Sequence, residues 1–164
     1  MAPLMRVALL VLSDKASSGE RADACLPALL SGIPAGASVV SQEIMADDRA
    51  MIVARLTQLC DDDIADVVLT SGGTGLSPRD VTPQATAEIA DFVVPGIGEA
   101  MRAASAANVP TAMLSRAIAV VRGRTLVVNL PGSPKAVRET LAVIAGQLAH
   151  AVGLLRGDVG EHTR

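Results

Sequence analysis

Ile64-Ala65-Asp66-Val67-Val68-Leu69-Thr70-Ser71-Gly72-Gly73-Thr74-Gly75 is the stretch on which the reading of this chain turns. Ile64 to Thr70 is mostly aliphatic and β-branched, lacks helical spacing and runs into a glycine cluster, so it reads as a buried strand. The glycines after it tolerate positive φ and leave backbone N–H groups unshielded, which makes an anion-binding nest at a strand end. A phosphate is the natural occupant. A tight turn with no ligand also explains Thr70 to Gly75, because glycine-rich turns are common. The continuation Ser77-Pro78-Arg79-Asp80 favours the nest: with the hydroxyls of Ser71 and Thr74 it adds a cation, a carboxylate and donors, more than a turn requires. No Gly-Lys-Ser/Thr follows, so this is not a Walker A loop, and the glycine spacing is not that of a dinucleotide fingerprint, which disfavours an NAD-linked oxidoreductase.

Outward from this loop, apolar runs alternate with helical patterns. Arg6 to Leu12 reads as a strand, Glu20 to Leu30 as a helix, Ser38 to Ile44 as a strand and Asp48 to Cys60 as a helix. After the glycine loop, Pro83 to Val93 reads as a helix with Thr82 as N-cap and Pro83 in first position, and Ile97 to Ala107 as another. Arg122-Gly123 between Ala117–Val121 and Thr125–Leu130 suggests a hairpin whose second arm enters the main sheet. The last helix starts at Ser133-Pro134 and carries Val137, Leu141, Ile144, Leu148, Val152 and Leu155 on one stripe. Such alternation implies an α/β fold, one domain over 1–164 with a mostly parallel sheet and helices on both faces, a core from about 6 to 155 and a frayed tail from Gly157. Ligands in such sheets bind beyond the C-terminal strand ends.

The other strand ends are polar too. Asn129-Leu130-Pro131-Gly132-Ser133-Pro134-Lys135 joins the late strand to the last helix, so a helix N-terminus and Lys135 can face a second anion. An ordinary turn with Ser133 as N-cap accounts for the same residues. Asp47 and Asp48 follow the second strand, one of them as a helix cap, and Ser13-Asp14-Lys15 ends the first. Two anion sites at one sheet edge suit a reaction between two phosphates.

Composition removes several classes of function. Net charge is −3 with scattered basic residues, and Phe92 is the only aromatic, so neither a positive face nor stacking platforms mark a nucleic-acid binder. A flat heterocycle bound here must rest on aliphatic side chains and backbone. The longest wholly apolar run, Val7 to Leu12, is far below the roughly 20 residues of a membrane crossing and is followed by no small-residue cleavage site. Cys25 and Cys60 stand alone, as reduced thiols do in a cytoplasmic protein. His150 and His162 have no plausible triad partners, and Asp61-Asp62-Asp63 reads as a solvated loop.

Ser13-Asp14-Lys15-Ala16-Ser17-Ser18-Gly19, Thr70 to Gly75 with Arg79-Asp80-Val81-Thr82-Pro83, and Asn129 to Lys135 together resemble the molybdopterin adenylyltransferases, the bacterial Mog and MoaB proteins and gephyrin-like G domains. Pro95-Gly96-Ile97-Gly98-Glu99 and Leu114-Ser115-Arg116-Ala117 resemble the same family, over about Arg6 to Leu155. The resemblance implies a cytoplasmic homotrimer that transfers AMP from Mg-ATP to the terminal phosphate of molybdopterin, with a molybdenum insertase as a further partner. It implies Asp80 and Asp47 as catalytic and magnesium-holding carboxylates. Substrate binding falls to Ser13, Asp14, Ser71, Gly72, Gly73, Thr74, Gly75, Pro131, Gly132, Ser133 and Lys135. Ala46 stands where many relatives have proline, and an insertion before the last helix of longer Mog proteins is missing, so the alternative is a MoaB-like pterin binder with weak or no transfer. The chemistry suits these loops independently: a phosphate monoester is already ionised at neutral pH, so its attack on a phosphorus needs alignment and charge relief, not a general base.

Overall fold

The computed structural model describes residues 5–158; the tail expected to fray lies, after Asp158, outside the described residues. Six strands form one sheet: β1 (Met5–Leu12), β2 (Ala37–Met45), β3 (Val67–Ser71), β4 (Phe92–Val93), β5 (Ala119–Arg122) and β6 (Thr125–Leu130), in the order β2-β1-β3-β6-β5-β4. β2, β1, β3 and β6 are mutually parallel, and β5 and β4 are added antiparallel. The helices are α1 (Asp14–Ser17), α2 (Cys25–Gly32), α3 (Arg49–Asp61), α4 (Thr82–Glu88), α5 (Pro95–Ala106) and α6 (Pro134–Arg156), with a 3₁₀ turn at Pro110–Leu114.

The pleat sends alternate residues of each strand to opposite layers. Val7, Leu9 and Val11 of β1 join Leu29 of α2 and Val137, Leu141, Ile144 and Leu148 of α6 in one core. Ala8, Leu10 and Leu12 join Ile52, Leu56 and Leu59 of α3 and Ala85 of α4 in the other. β1 and β3 are buried on both faces, which is why their sequences are continuous apolar runs instead of alternating ones. The stripe expected on the last helix is the face α6 buries, and each fully buried aliphatic side chain on it contributes roughly 1.5–3 kcal/mol.

Two expected elements differ. The helix expected over Glu20 to Leu30 begins at Cys25 with Ala24 at its N-cap position, and Asp23 just before it accepts from Cys25 N (3.0 Å) and Leu26 N (2.8 Å), satisfying the first free amides. Pro27 then falls in the first turn, where its missing N–H is harmless. The helix expected from Pro83 to Val93 ends at Glu88, and Phe92 and Val93 instead pair with β5 as the edge strand. Thr82 is not its N-cap, because its hydroxyl donates to Gly72 O at 2.9 Å.

Polar clamps hold the sheet at two levels. Asp66, 5 % exposed, receives Arg6 from β1 and Arg156 from the end of α6. Burial alone would push its carboxyl up, but these guanidinium bonds overcome that and hold it at about 2. At the opposite strand ends, buried Asn129 donates to Thr70 Oγ1 (3.1 Å) and Thr86 Oγ1 (2.9 Å), joining β6 to β3 and α4. Both cysteines are free and buried, and burial pushes the Cys60 thiol up to about 11.

Candidate active site

Because β1, β2, β3 and β6 run parallel, their C-terminal ends open on one edge. The first two ends are locked reciprocally: Asp47 N donates to Asp14 Oδ1 (2.9 Å), and Asp14 N donates to Asp47 Oδ2 (3.1 Å). Arg79 of the glycine loop donates to Asp14 Oδ2 at 2.7 and 3.0 Å, so three loops share one junction. Those bonds hold the Asp14 carboxyl below its ordinary range. Asp47 moves the other way: burial pushes its carboxyl up, the Asp14 N–H counters, and the charges of Asp14 and Asp80 add to the rise. Its Oδ1 is buried with no hydrogen-bond partner.

The glycine loop is shaped by what surrounds it. Gly72 has φ +106 and Gly73 φ +67; a methyl on Gly72 would strike the Leu12 carbonyl, and one on Gly73 the Thr82 hydroxyl. Only glycine fits both the backbone and the space. Ser71 Oγ donates to Pro131 O (2.8 Å), Gly72 N donates to Leu130 O (3.1 Å), and the Cα of Gly72 lies 3.3 Å from where a Cβ on Gly132 would be. The two glycine loops therefore touch. Beyond them, Asp80 Oδ2 accepts from Ser77 N (3.0 Å), and Arg116 donates to Gly75 O (2.7 Å) and Asp80 O (2.8 Å).

Two cavities flank this contact. A polar one of about 210 Å³ is lined by Arg21, Asp47, Ser71, Gly72, Gly73 and Gly132, among others. A larger one of about 440 Å³ has mostly apolar walls, including Thr74, Leu76, Met101, Leu114, Pro131 and Ala136. The first half of the glycine loop faces one and the second half the other.

A family model described as "Probable molybdopterin binding domain" matches residues 8–150. The chain belongs to that molybdopterin-binding family. It is 43 % identical over 140 residues to "Molybdopterin adenylyltransferase" of Escherichia coli strain K12, covering 84 % of this chain and 72 % of the relative. To the protein of the same name in Helicobacter pylori strain J99 it is 38 % identical over 157 residues, covering 94 % and 89 %. Among solved structures, the molybdopterin biosynthesis enzyme MoaB of Thermus thermophilus is similar with a TM-score of 0.88 at 45 % identity, covering 93 % of this chain and 97 % of that one.

In this molybdopterin-binding domain the expected site residues divide by cavity. Ser13, Asp47, Ser71, Gly72, Gly73 and Gly132 line the polar one, and Thr74, Gly75 and Pro131 the apolar one. Ser13 and Ser133 both act as helix caps, accepting from Ala16 N and Ala136 N at 3.2 Å. Lys135 is 78 % exposed, lies 3.8 Å from Glu139 and lines neither cavity, and Asp80 lies at the glycine-loop end without lining either. Arg21, Asp23, Arg102 and Arg116 are brought to the site without having been expected there. Only Arg116 carried a signal, as part of the Leu114-Ser115-Arg116-Ala117 stretch.

Among the described residues no three His, Cys, Asp or Glu side chains gather closely enough to cage a metal. The unpartnered Asp47 Oδ1 and the nearby Asp80 are hard oxygen donors, and they fit a magnesium ion that takes its remaining ligands from phosphates and water.

Proposed function

We propose that this protein is a molybdopterin adenylyltransferase of molybdenum-cofactor synthesis, joining the AMP of ATP to the terminal phosphate of molybdopterin. The observation that carries the reading is the pair of cavities sharing a wall made of two touching glycine loops. One is polar and sized for phosphates; the other is apolar and sized for a heterocycle. With Phe92 the only aromatic residue, the pterin rests on aliphatic walls such as Leu76, Met101 and Leu114.

The nucleotide's phosphates occupy the nest of Ser71, Gly72, Gly73, Thr74 and Gly75 beside Ser13, Asp14 and Asp47. The pterin phosphate lies against Pro131, Gly132 and Ser133, with Lys135 at the rim. An oxygen of that phosphate attacks the α-phosphorus of ATP, the bond from the α-phosphorus to the bridging oxygen breaks, and pyrophosphate leaves with the electron pair. No proton is removed from the nucleophile, so a pair of cavities lined without histidine suits the reaction. The residues act by alignment: the loops fix both phosphates across their contact, and backbone N–H groups face the developing charge. Magnesium held by Asp47 and Asp80 supplies neutralisation of phosphate charge when bound.

The enzyme works in the cytoplasm, where its substrate ATP is at hand; among the described residues no helix is long and apolar enough to cross a membrane. Exposed Phe92, Val93 and Met113, which line neither cavity, support assembly with further copies of the chain, a trimer on the family resemblance, with a molybdenum insertase receiving the product. Asp80→Asn tests the reading. It keeps the shape of the side chain and removes its charge, so single-turnover adenylylation at saturating Mg-ATP should slow by about 100-fold or more while pterin affinity holds. A near wild-type rate would mean that Asp80 only shapes its turn.

A further inference from the structure

The polar cavity is rich in acid: Asp47 and Asp23 line it, and Asp14 and Asp80 stand close enough to act on Asp47 electrostatically. Polyphosphate entering it meets repulsion unless cations oppose those charges. Most cations near the site are engaged. Arg79 is paired with Asp14, Arg116 donates to two carbonyls, Arg102 donates to Ala117 O, and Lys135 lies beside Glu139. Arg21 differs. Among the described residues it is the only cation lining the polar cavity, it is exposed, and its guanidinium has no ion pair or hydrogen-bond partner.

Its place is set by the chain around it. The turn at Gly19 (φ +78) reverses the backbone, and Arg21 N donates to Lys15 O at 3.1 Å. The other charged residue lining the cavity near it, Asp23, turns its carboxylate to Cys25 N and Leu26 N at the start of α2 and forms no ion pair with Arg21. The Cys25 thiol donates to Gly132 O at 3.4 Å and ties the start of α2 to the second glycine loop. The segment carrying Arg21 is thus anchored at both ends beside the nest. A guanidinium forms bidentate bonds to phosphate and stays charged at any relevant pH.

We propose that Arg21 is a phosphate-binding residue, which engages the triphosphate of the nucleotide held against Ser71, Gly72 and Gly73. This rests on the assignment of the polar cavity to nucleotide. The role is binding, so it belongs to nucleotide affinity and KM for ATP more than to kcat.

Titration calorimetry of the full chain with Mg-ATP, in the absence of pterin, tests it in the wild type, Arg21→Ala, Arg21→Lys and Arg21→Glu. The expected loss of affinity is about tenfold for alanine, smaller for lysine and larger for glutamate, with the wild-type affinity falling more steeply with salt than that of Arg21→Ala. Molybdopterin affinity should stay level, and in the coupled reaction KM for ATP should rise about tenfold with kcat within about twofold. Arg21→Ala binding Mg-ATP as tightly as the wild type would overturn the proposal, as would a wild type that does not bind Mg-ATP. A wild type that binds Mg-ATP with the expected Arg21 dependence but forms no adenylylated pterin would sink the transfer reading and leave this one standing.

Discussion

At Asp47 one carboxylate oxygen is bound, the other is buried and unpaired, and two like charges are near. Because its pKa is raised in the fold, ionisation destabilises the native state once pH exceeds the ordinary carboxylate range, and the penalty disappears below it, where the group is protonated folded or unfolded. Asp47→Asn should therefore raise Tm at pH 7 without divalent ions or nucleotide, the gain vanishing near pH 3, while transfer activity falls; a lower Tm at pH 7 would contradict this. Arg116 is a positioning residue, holding the carbonyls at both ends of Gly75 to Asp80. Arg116→Ala should slow transfer about tenfold, and lysine should restore part of it, because one ammonium cannot reproduce a two-pronged contact. An unchanged rate in the alanine variant would remove Arg116 from the account. Arg116's partners are carbonyls 36 and 41 residues away, so nothing in its local sequence announces the bond. Asp47, by contrast, was legible as the polar end of a strand.

Among the elements, the Asp66 clamp ties β1, the entry to β3 and the end of α6. A carboxyl held at about 2 instead of 3.8 stabilises the fold by about 2 kcal/mol above the unfolded pKa, an effect lost as pH falls through the folded value. Asp66→Asn should thus lower urea-derived stability by about that much at pH 7, and the difference from wild type should shrink by pH 2.5. A difference independent of pH would point to packing instead of charge. The strands other than β4, with α3 and α6, were legible because burial on both faces leaves continuous apolar runs and burial on one face leaves a stripe; the two-residue β4 has neither mark and reads as the end of a helix. The start of α2 was not: Glu20 to Ala24 has helix-compatible composition, and tertiary anchoring at Gly19 and Asp23 overrides it. Pro27 was the available sign, since it suits a first turn and breaks a helix interior. Thr82-Pro83 misled for a related reason. A threonine before proline looks like a cap, but here its hydroxyl is drawn to the Gly72 carbonyl, a partner known only once the sheet edge forms.

For the whole molecule, the parallel strands explain why polar loops far apart in sequence meet: four C-terminal ends open on one edge, and two glycine loops meet there without side chains between them. The convergence was legible, but the division of the edge into a polar and an apolar cavity was not, because the apolar wall comes from α5 and the 3₁₀ turn, which carry no ligand-binding pattern. Exposed Phe92, Val93 and Met113, outside both cavities, lead with the family resemblance to the expectation that sedimentation equilibrium at micromolar concentration gives a trimer of the 16.7 kDa chain, and a monomer would contradict it. The central claim is that two phosphates meet across the glycine loops and that AMP passes from ATP to the pterin phosphate, releasing pyrophosphate. Its most direct test is product stoichiometry: purified protein with molybdopterin and Mg-ATP should yield adenylylated molybdopterin and pyrophosphate in equal amounts, whereas bound pterin with no pyrophosphate released would show a binding protein instead of a transferase.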